Sequence, residues 1–598
     1  MRDDSSPVKC SGLVKRAIVK PAAVLAAAVS SAAVLADTRT WTGGGGDANW
    51  STAANWDGAV PGDGDTAVFG AAVKDATVDA AKVKGLVITA DYTGTLTLAN
   101  DFTVADYYCQ SNGTFTCGAN TFTIGQGNGS SGANYRGFFH LVGGTFNCST
   151  GVTQWKPTNN GPQFVIDAAA TWNHNNGEFA VGGPNNGNAC LTANAVFYNL
   201  RFISRHRPVF AGGTTNRVLG SLTSHGVGVN STKAQSSQVS DPSAWSKTGS
   251  GKNATLAVEG DLYFDNADNI TKSESRWGGT GVILMCGAGD QVIHSDGGHL
   301  PSLVVNKPGN AKVTCDVAGG EPLVFYGIGS GMNPHFFVQS GTFVFPDAGL
   351  SFPNARYSDL FQTGGRLENT AGGLSLSVIN DSYLYLSNSI GRLEFSGRIS
   401  TSERLSITGD VEIASGGCFR CFYDSARGEY GSPVMSGDGD QHFRAAGTNS
   451  ITETGSVWYG RFKVGKSGGR LFLDTPLCAK YITFTSDAHL VFPVTNATTA
   501  VTGRGAGGWN VPVVRVSERV LELGGSKIVL EPSGRITDES PVKWNVFEWG
   551  SGMTGYDEGN IGFRMPAGCV KPKLVADSAE KIVYLSYGLG GGFMYFLR

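Results

Sequence analysis

From Ala76 to Val104 the chain reads ATVDAAKVKGLVITADYTGTLTLANDFTV, and Val78, Val83, Leu86, Ile88, Leu96 and Leu98 fall among polar and small residues. Alternation with a period of two over short segments marks strands that bury one face, and the intervening Gly and Asn mark the turns between them. No stretch of similar length carries an apolar stripe with a 3.6-residue period, so the pattern predicts an all-β protein with very little helix.

Three local patterns recur along these strands. A turn followed by an aromatic occurs as Asn112-Gly113-Thr114-Phe115, Gly143-Gly144-Thr145-Phe146, Asn176-Gly177-Glu178-Phe179 and Ser340-Gly341-Thr342-Phe343. Glycine gives the left-handed corner and the aromatic turns inward. Gly-x-Gly-Asp-Gln occurs at Gly287 to Gln291 and at Gly437 to Gln441. Each copy precedes a strand ending in Lys and a Gly turn: Leu303, Val305, Lys307, Gly309 and Phe462, Val464, Lys466, Gly468, with a weaker relative at Phe197 to Phe202. Irregular repeats of short strands with corner glycines predict a right-handed parallel β-helix, or β-solenoid, with capped ends. In such a fold the coils stack at about 4.8 Å and share one core. Tandem β-sandwiches are the alternative; they call for linkers and evenly spaced turns. The polar segment Asn230 to Lys252 is the best linker candidate and reads equally well as a loop projecting from a coil.

Composition narrows the function classes. Glycine supplies 85 of 598 residues and charged residues only 16%, against roughly 25% charged in an average globular chain, so the surface rests on turns and on Ser, Thr and Asn. A formal charge of -3 argues against a nucleic-acid partner, which needs a basic face. Lys9, Lys15, Arg16 and Lys20 precede the Ala/Val-rich run Pro21 to Leu35, and Val34-Leu35-Ala36 fits a cleavage site before Asp37. Residues 1–36 are therefore expected to be a signal peptide. The run is shorter than the roughly 20 residues a spanning helix needs, and no later segment supplies a transmembrane helix. The mature chain is expected to comprise a Trp-rich cap at 37–70, solenoid repeats at 71–540 and closing strands at 541–598. Trp41, Trp50 and Trp56 are placed to cover the first coil, because an open solenoid end exposes core and unpaired strand edge. Trp544 to Trp549 and Lys581 to Tyr587 read as closing strands, and the terminal GGFMYFLR as an apolar tail.

Candidate chemistry is sparse. Ten cysteines follow residue 36, an even number compatible with disulfides in an exported protein. Cys418-Phe-Arg-Cys421 is an isolated CxxC with no second pair, so disulfides or buried thiols are favoured over metal, and no cofactor is expected. The acidic pairs Asp63-Gly-Asp65 and Asp438-Gly-Asp440 sit in Gly-rich corners where Asp normally bonds the backbone of its own turn. Arg201, Arg205, His206 and Arg207 form a compact basic cluster. Its Arg201, Arg205 and Arg207 are candidates to face an acidic glycan through bidentate guanidinium contacts, with a solvated strand edge as the plainer reading.

The opening WTGGGGDANWSTAANWDGAVPGDGDTAVF, the GTF turns and the GDQ-to-strand units resemble bacterial autotransporter-associated β-strand repeat proteins. The resemblance implies a secreted or surface-displayed passenger with a parallel β-helix. The region after Glu531 is too short for the membrane barrel of such proteins. The expectation is an exported structural or adhesin-like protein, not an enzyme, presenting loops to a glycan or cell surface. The alternative is a β-helix polysaccharide lyase or glycoside hydrolase, which needs carboxylates brought together across coils.

Overall fold

A computed structural model describes residues 37–589 except 72–73, 126–136, 158–159, 183–187, 193, 204–206, 212, 226–229, 232–253, 266–281, 298–299, 326–334, 352–357, 363, 370–374, 379–381, 387–388, 396–397, 402–403, 414–417, 422, 425–428, 431, 446–460, 480, 494–512, 517–519, 534–542 and 567–568. The expected signal peptide, Cys10, Arg205, His206 and the GGFMYFLR tail lie outside the described residues, as does most of Asn230 to Lys252. Among the described residues strands make up 59% and helix 3%, which establishes the all-β class. The strands stack in parallel as a β-helix, and this sets the tandem sandwiches aside, because those are built from antiparallel sheets. The chain forms two compact units, Met1–Ala318 with Val324–Pro334, and Gly319–Leu323 with His335–Arg598.

In the first unit each coil lays its strands in register on the coil before. Thr66–Phe69 pairs with the second half of Lys82–Ile88, which pairs with Phe102–Gln110, and that strand pairs with Phe138–Leu141. The register sets like on like. Leu86, Tyr108, Phe139 and Phe164 form one buried column, and Leu96, Phe115 and Phe146 form another that half-buried Trp172 extends. Within a column the rings stack: Tyr108 on Phe139 at 4.9 Å and 9°, Phe139 on Phe164 at 4.2 Å and 10°, Phe115 on Phe146 at 5.3 Å and 12°, and Phe146 on Trp172 at 5.1 Å and 5°. Between columns they meet edge to face, Tyr108 against Phe115 at 78° and Phe139 against Phe146 at 89°. Both arrangements suit the ring quadrupole, so the coil repeat itself organises the aromatic core.

The first two GTF turns supply the second column. Gly113, Gly144 and Gly341 hold positive φ, and Phe115, Phe146 and Phe343 are buried. At the third copy the left-handed residues are Asn175 and Asn176 instead. Gly177 is required there by close approach, since a Cβ would overlap the Ser149 carbonyl. One expectation needs amending. The strand Ser302–Asn306 buries Val304 as well as Leu303 and Val305, so both its faces are covered.

In the second unit Ser375–Val378, Ile390–Phe395, Arg404–Ile413, Gln441–Ala445 and Leu471–Leu473 stack in parallel with Leu376, Leu393, Val411, Phe443 and Leu473 aligned inside. Ala488–Pro493, Ile528–Ser533 and Ile561–Phe563 continue the stack. The strand Lys543–Glu548 then pairs antiparallel with Ile582–Leu589, which also pairs antiparallel with Cys569–Asp577.

Candidate functional site

The Trp-rich segment folds onto the first rung. Thr38–Trp41 pairs in parallel with Thr66–Phe69, while Asn49 bridges Thr77 on the strand Ala76–Val78. Trp41, Trp50 and Trp56 are all buried and meet edge to face, Trp50 against Trp56 at 4.7 Å and Trp41 against Trp56 at 5.2 Å, over Phe69. Their rings are therefore unavailable as a sugar platform. The GGGG loop wraps around Lys74, whose ammonium donates to the carbonyls of Gly43 (3.1 Å) and Gly45 (2.7 Å). Buried Asn55 ties the loop together: its Oδ1 accepts from Gly45 N–H at 2.7 Å and its amide donates to Asn49 O at 3.0 Å. Ser51 hydroxyl and N–H both donate to Asp79 at the next corner.

The basic cluster is only partly within view. Arg201 points outward from Asn199–Ile203 and pairs with Glu178 of the preceding coil, its Nε donating at 2.8 Å. Arg207 lies in Arg207–Phe210, and its backbone is in register with Asn188. Along the same outer face, register aligns Arg201, Thr223, Tyr263, His294 and Asp316. Tyr263 is exposed and stacks on His294 at 4.5 Å and 12°, and His294 Nδ1 lies 2.9 Å from Asp316 Oδ2. An exposed aromatic two coils from a guanidinium is a surface a sugar could span, at about 4.8 Å per coil.

The acidic corners bind backbone. Asp75, Asp101, Asp261 and Asp290 accept the N–H of Thr95, Thr121, Val292 and Lys312 on the next coil at 2.7 to 2.8 Å. In the second unit Asp410, Asp440 and Asp487 do the same for His442, Arg470 and Lys527 at 2.7 to 2.9 Å. Asp440 also receives the Arg470 guanidinium, which together with the Arg470 N–H holds its carboxyl below the usual range. In the other pair, Asp65 accepts Gly62 N–H at 2.9 Å and Asp63 lies 3.8 Å from Lys82.

The GDQ-to-Lys repeat acquires a physical meaning that its sequence did not disclose. Gln441 is buried; its amide donates to the carbonyls of Ile407 (3.0 Å) and Gly409 (3.2 Å), and its Oε1 accepts from buried Lys466 at 2.8 Å. Lys466 donates its second hydrogen bond to Gly439 O at 2.8 Å. The other copy repeats this, with Gln291 donating to Val258 and Gly260 carbonyls and accepting from Lys307 at 2.5 Å. Burial lowers the pKa of both lysines. A Gln–Lys clamp in each unit thus satisfies corner carbonyls from inside.

Sequence reasoning missed a charged ladder on the outer face of the second unit, because its members come from strands far apart in the chain. Glu394 and Glu412 are direct register neighbours, as are Glu412 and Arg444. Arg392 pairs with both carboxylates at 3.1 and 3.3 Å, which relieves the like-charge contact. Beside them Asp474 accepts Arg444 Nε at 2.7 Å and lies 2.9 Å from His442 Nδ1, and His442 stacks on Phe472 at 4.5 Å. Paired carboxylates, guanidinium groups and a histidine oriented by an aspartate are the parts of acid–base chemistry on a sugar. In the first unit a cavity of about 10 Å³ lined by Cys148, Trp172, His174 and Glu178 has room for one water. No group of three or more metal-ligating side chains occurs among the described residues, and none of their helices is long and apolar enough to cross a membrane. No protein-family model, curated protein or solved structure matches the chain.

Proposed function

We propose that the protein is an exported, non-enzymatic scaffold of the adhesin type, displaying loops from a rigid β-solenoid to an extracellular glycan or cell surface. The observation that carries this reading is the commitment of its corner chemistry to stacking. Of the acidic pairs, Asp440 accepts the N–H of Arg470 on the next coil and Asp65 that of Gly62 in its own turn; Asp261, Asp290 and Asp410 likewise accept next-coil N–H groups, and the Gln–Lys clamps satisfy carbonyls from within. Such bonding suits a stack of coils that must hold together outside the cell. Asn230–Ser231 and Thr255–Val258, which flank most of the polar segment weighed as a linker, are strands of the same unit. The basic n-region, apolar run and cleavage site at residues 1–36 support export. The test is a glycan array probed with the chain from Asp37 onward, alongside Arg201→Ala and Tyr263→Ala. Binding to an acidic glycan that both variants lose supports the reading; no binding across the array removes its adhesive half. N-terminal sequencing of the extracellular protein should begin at Asp37, and retention of Met1 would overturn export by this signal.

The ladder of Arg392, Glu394, Glu412, His442, Arg444 and Asp474 favours a second reading, a polysaccharide-cleaving enzyme. Release of reducing or unsaturated ends from a polysaccharide panel, abolished in Glu412→Gln, would replace the scaffold reading with this one.

A further inference from the structure

Two buried cysteines of the first unit lie side by side on successive coils. Register pairs Thr114–Thr116 with Thr145–Asn147 residue for residue, and Cys117 and Cys148 are the next residues on the two strands. Cys117 N–H donates to Asn147 O at 3.1 Å, the last bond of that ladder. Adjacent strands lie about 4.8 Å apart, inside the Cα range of roughly 4.4 to 6.8 Å that a disulfide spans. Both side chains are buried, Cys117 at 0% and Cys148 at 4% exposure, and both lie near enough to the buried Tyr108 to act on its hydroxyl. Both lie just past the ends of their strands, where the backbone can adjust to the torsion of a disulfide.

We infer that Cys117 and Cys148 form a disulfide that staples consecutive coils when the chain folds in the presence of a disulfide oxidant. Two thiols lose two protons and two electrons to form one S–S bond, while a small-molecule disulfide such as oxidised glutathione is cleaved to two thiols. The bond forms as the coils close, because burial pushes both thiols well above their usual pKa and removes the attacking thiolate once the core is packed. This chemistry does not depend on where the protein resides, so it stands or falls separately from export.

The test is carried out on the full chain from Asp37. Reduced protein is equilibrated with a series of reduced and oxidised glutathione ratios in a denaturant concentration low enough to keep its strand-rich circular dichroism. The samples are acid-quenched, unfolded in guanidinium with N-ethylmaleimide, digested and mapped by mass spectrometry. The expected result is loss of both maleimide adducts at Cys117 and Cys148 and a linked peptide containing the two, while Cys315, which is buried apart from them, keeps its adduct. In Cys148→Ser the adduct at Cys117 should return. The inference is overturned if both cysteines stay alkylated at every ratio, or if either is linked to a different cysteine. The wild-type map decides the matter even if the variant does not fold.

Discussion

Trp50→Ala removes one of three buried tryptophans at the junction between the N-terminal segment and the first rung. The ring is fully buried and touches Trp56, Phe69 and Phe102 at centroid distances of 4.7, 5.8 and 5.7 Å. Truncating a buried Trp costs roughly 3 to 5 kcal/mol through lost transfer free energy and the cavity left behind. One term acts the other way: the Trp50 indole N–H is buried without a partner, and its removal returns part of the roughly 1 to 3 kcal/mol that an unsatisfied donor costs. Trp50→Phe separates the two, keeping an aromatic ring and deleting the N–H, and should cost less than about 1.5 kcal/mol. Because coils contact only their neighbours, the loss should stay local, and a single melting temperature would average it away. Hydrogen exchange by mass spectrometry is the suitable assay. In Trp50→Ala, protection of the strands Thr38–Trp41, Thr66–Phe69 and Ala76–Val78 should fall by about 10² to 10³ at 1.4 kcal/mol per decade. Strands from Phe138 to Gly182 should be unchanged. Unaltered protection on the first rung, or an equal loss along the whole unit, would refute the capping argument.

Gly177→Ala drives a Cβ into the Ser149 carbonyl, whereas at Gly46 nothing lies within 4 Å. The first should lose about 1 to 3 kcal/mol and the second less than about 0.5 kcal/mol, as read from exchange protection of their own coils. Burial lowers the Lys466 pKa below 10.5, so the folded state binds that proton less tightly than the unfolded one. The resulting penalty is complete below the folded pKa and vanishes as pH rises toward the unfolded value. Protection of Gln441–Ala445 relative to Lys466→Met should therefore increase between neutral pH and 10.5; a pH-independent difference would contradict the clamp. The Arg470 contacts lower the Asp440 pKa below 3.8, so its contribution is present above that value and lost as pH falls through the folded pKa. Asp440→Asn keeps an acceptor without the charge, and its coil should lose less protection than wild type between about pH 5 and pH 2.

The sequence by itself determined the strands, their corners and the inward direction of the aromatics, because these follow from local rules. A side-chain period of two assigns faces, glycine or asparagine opens a left-handed corner, and Phe115, Phe146 and Phe343 then have one buried direction to take. It also made the burial of Trp41, Trp50 and Trp56 a reasonable expectation from their place beside the first strand. The tertiary structure alone decided register. The coils differ in length, as the positions of Leu86, Tyr108, Phe139 and Phe164 in one column show, and no local signal states how many residues return the chain to its starting edge. Everything that depends on one coil facing the next was therefore hidden. The Gln–Lys clamp was visible as repetition without a reason, and the aspartate corners as pairs without their backbone donors. The Glu394–Glu412–Arg444 ladder and the nearness of Cys117 and Cys148 on successive coils left no trace in the linear order. Parallel stacking is a non-local interaction, and only the closed coil brings its partners to hydrogen-bonding distance.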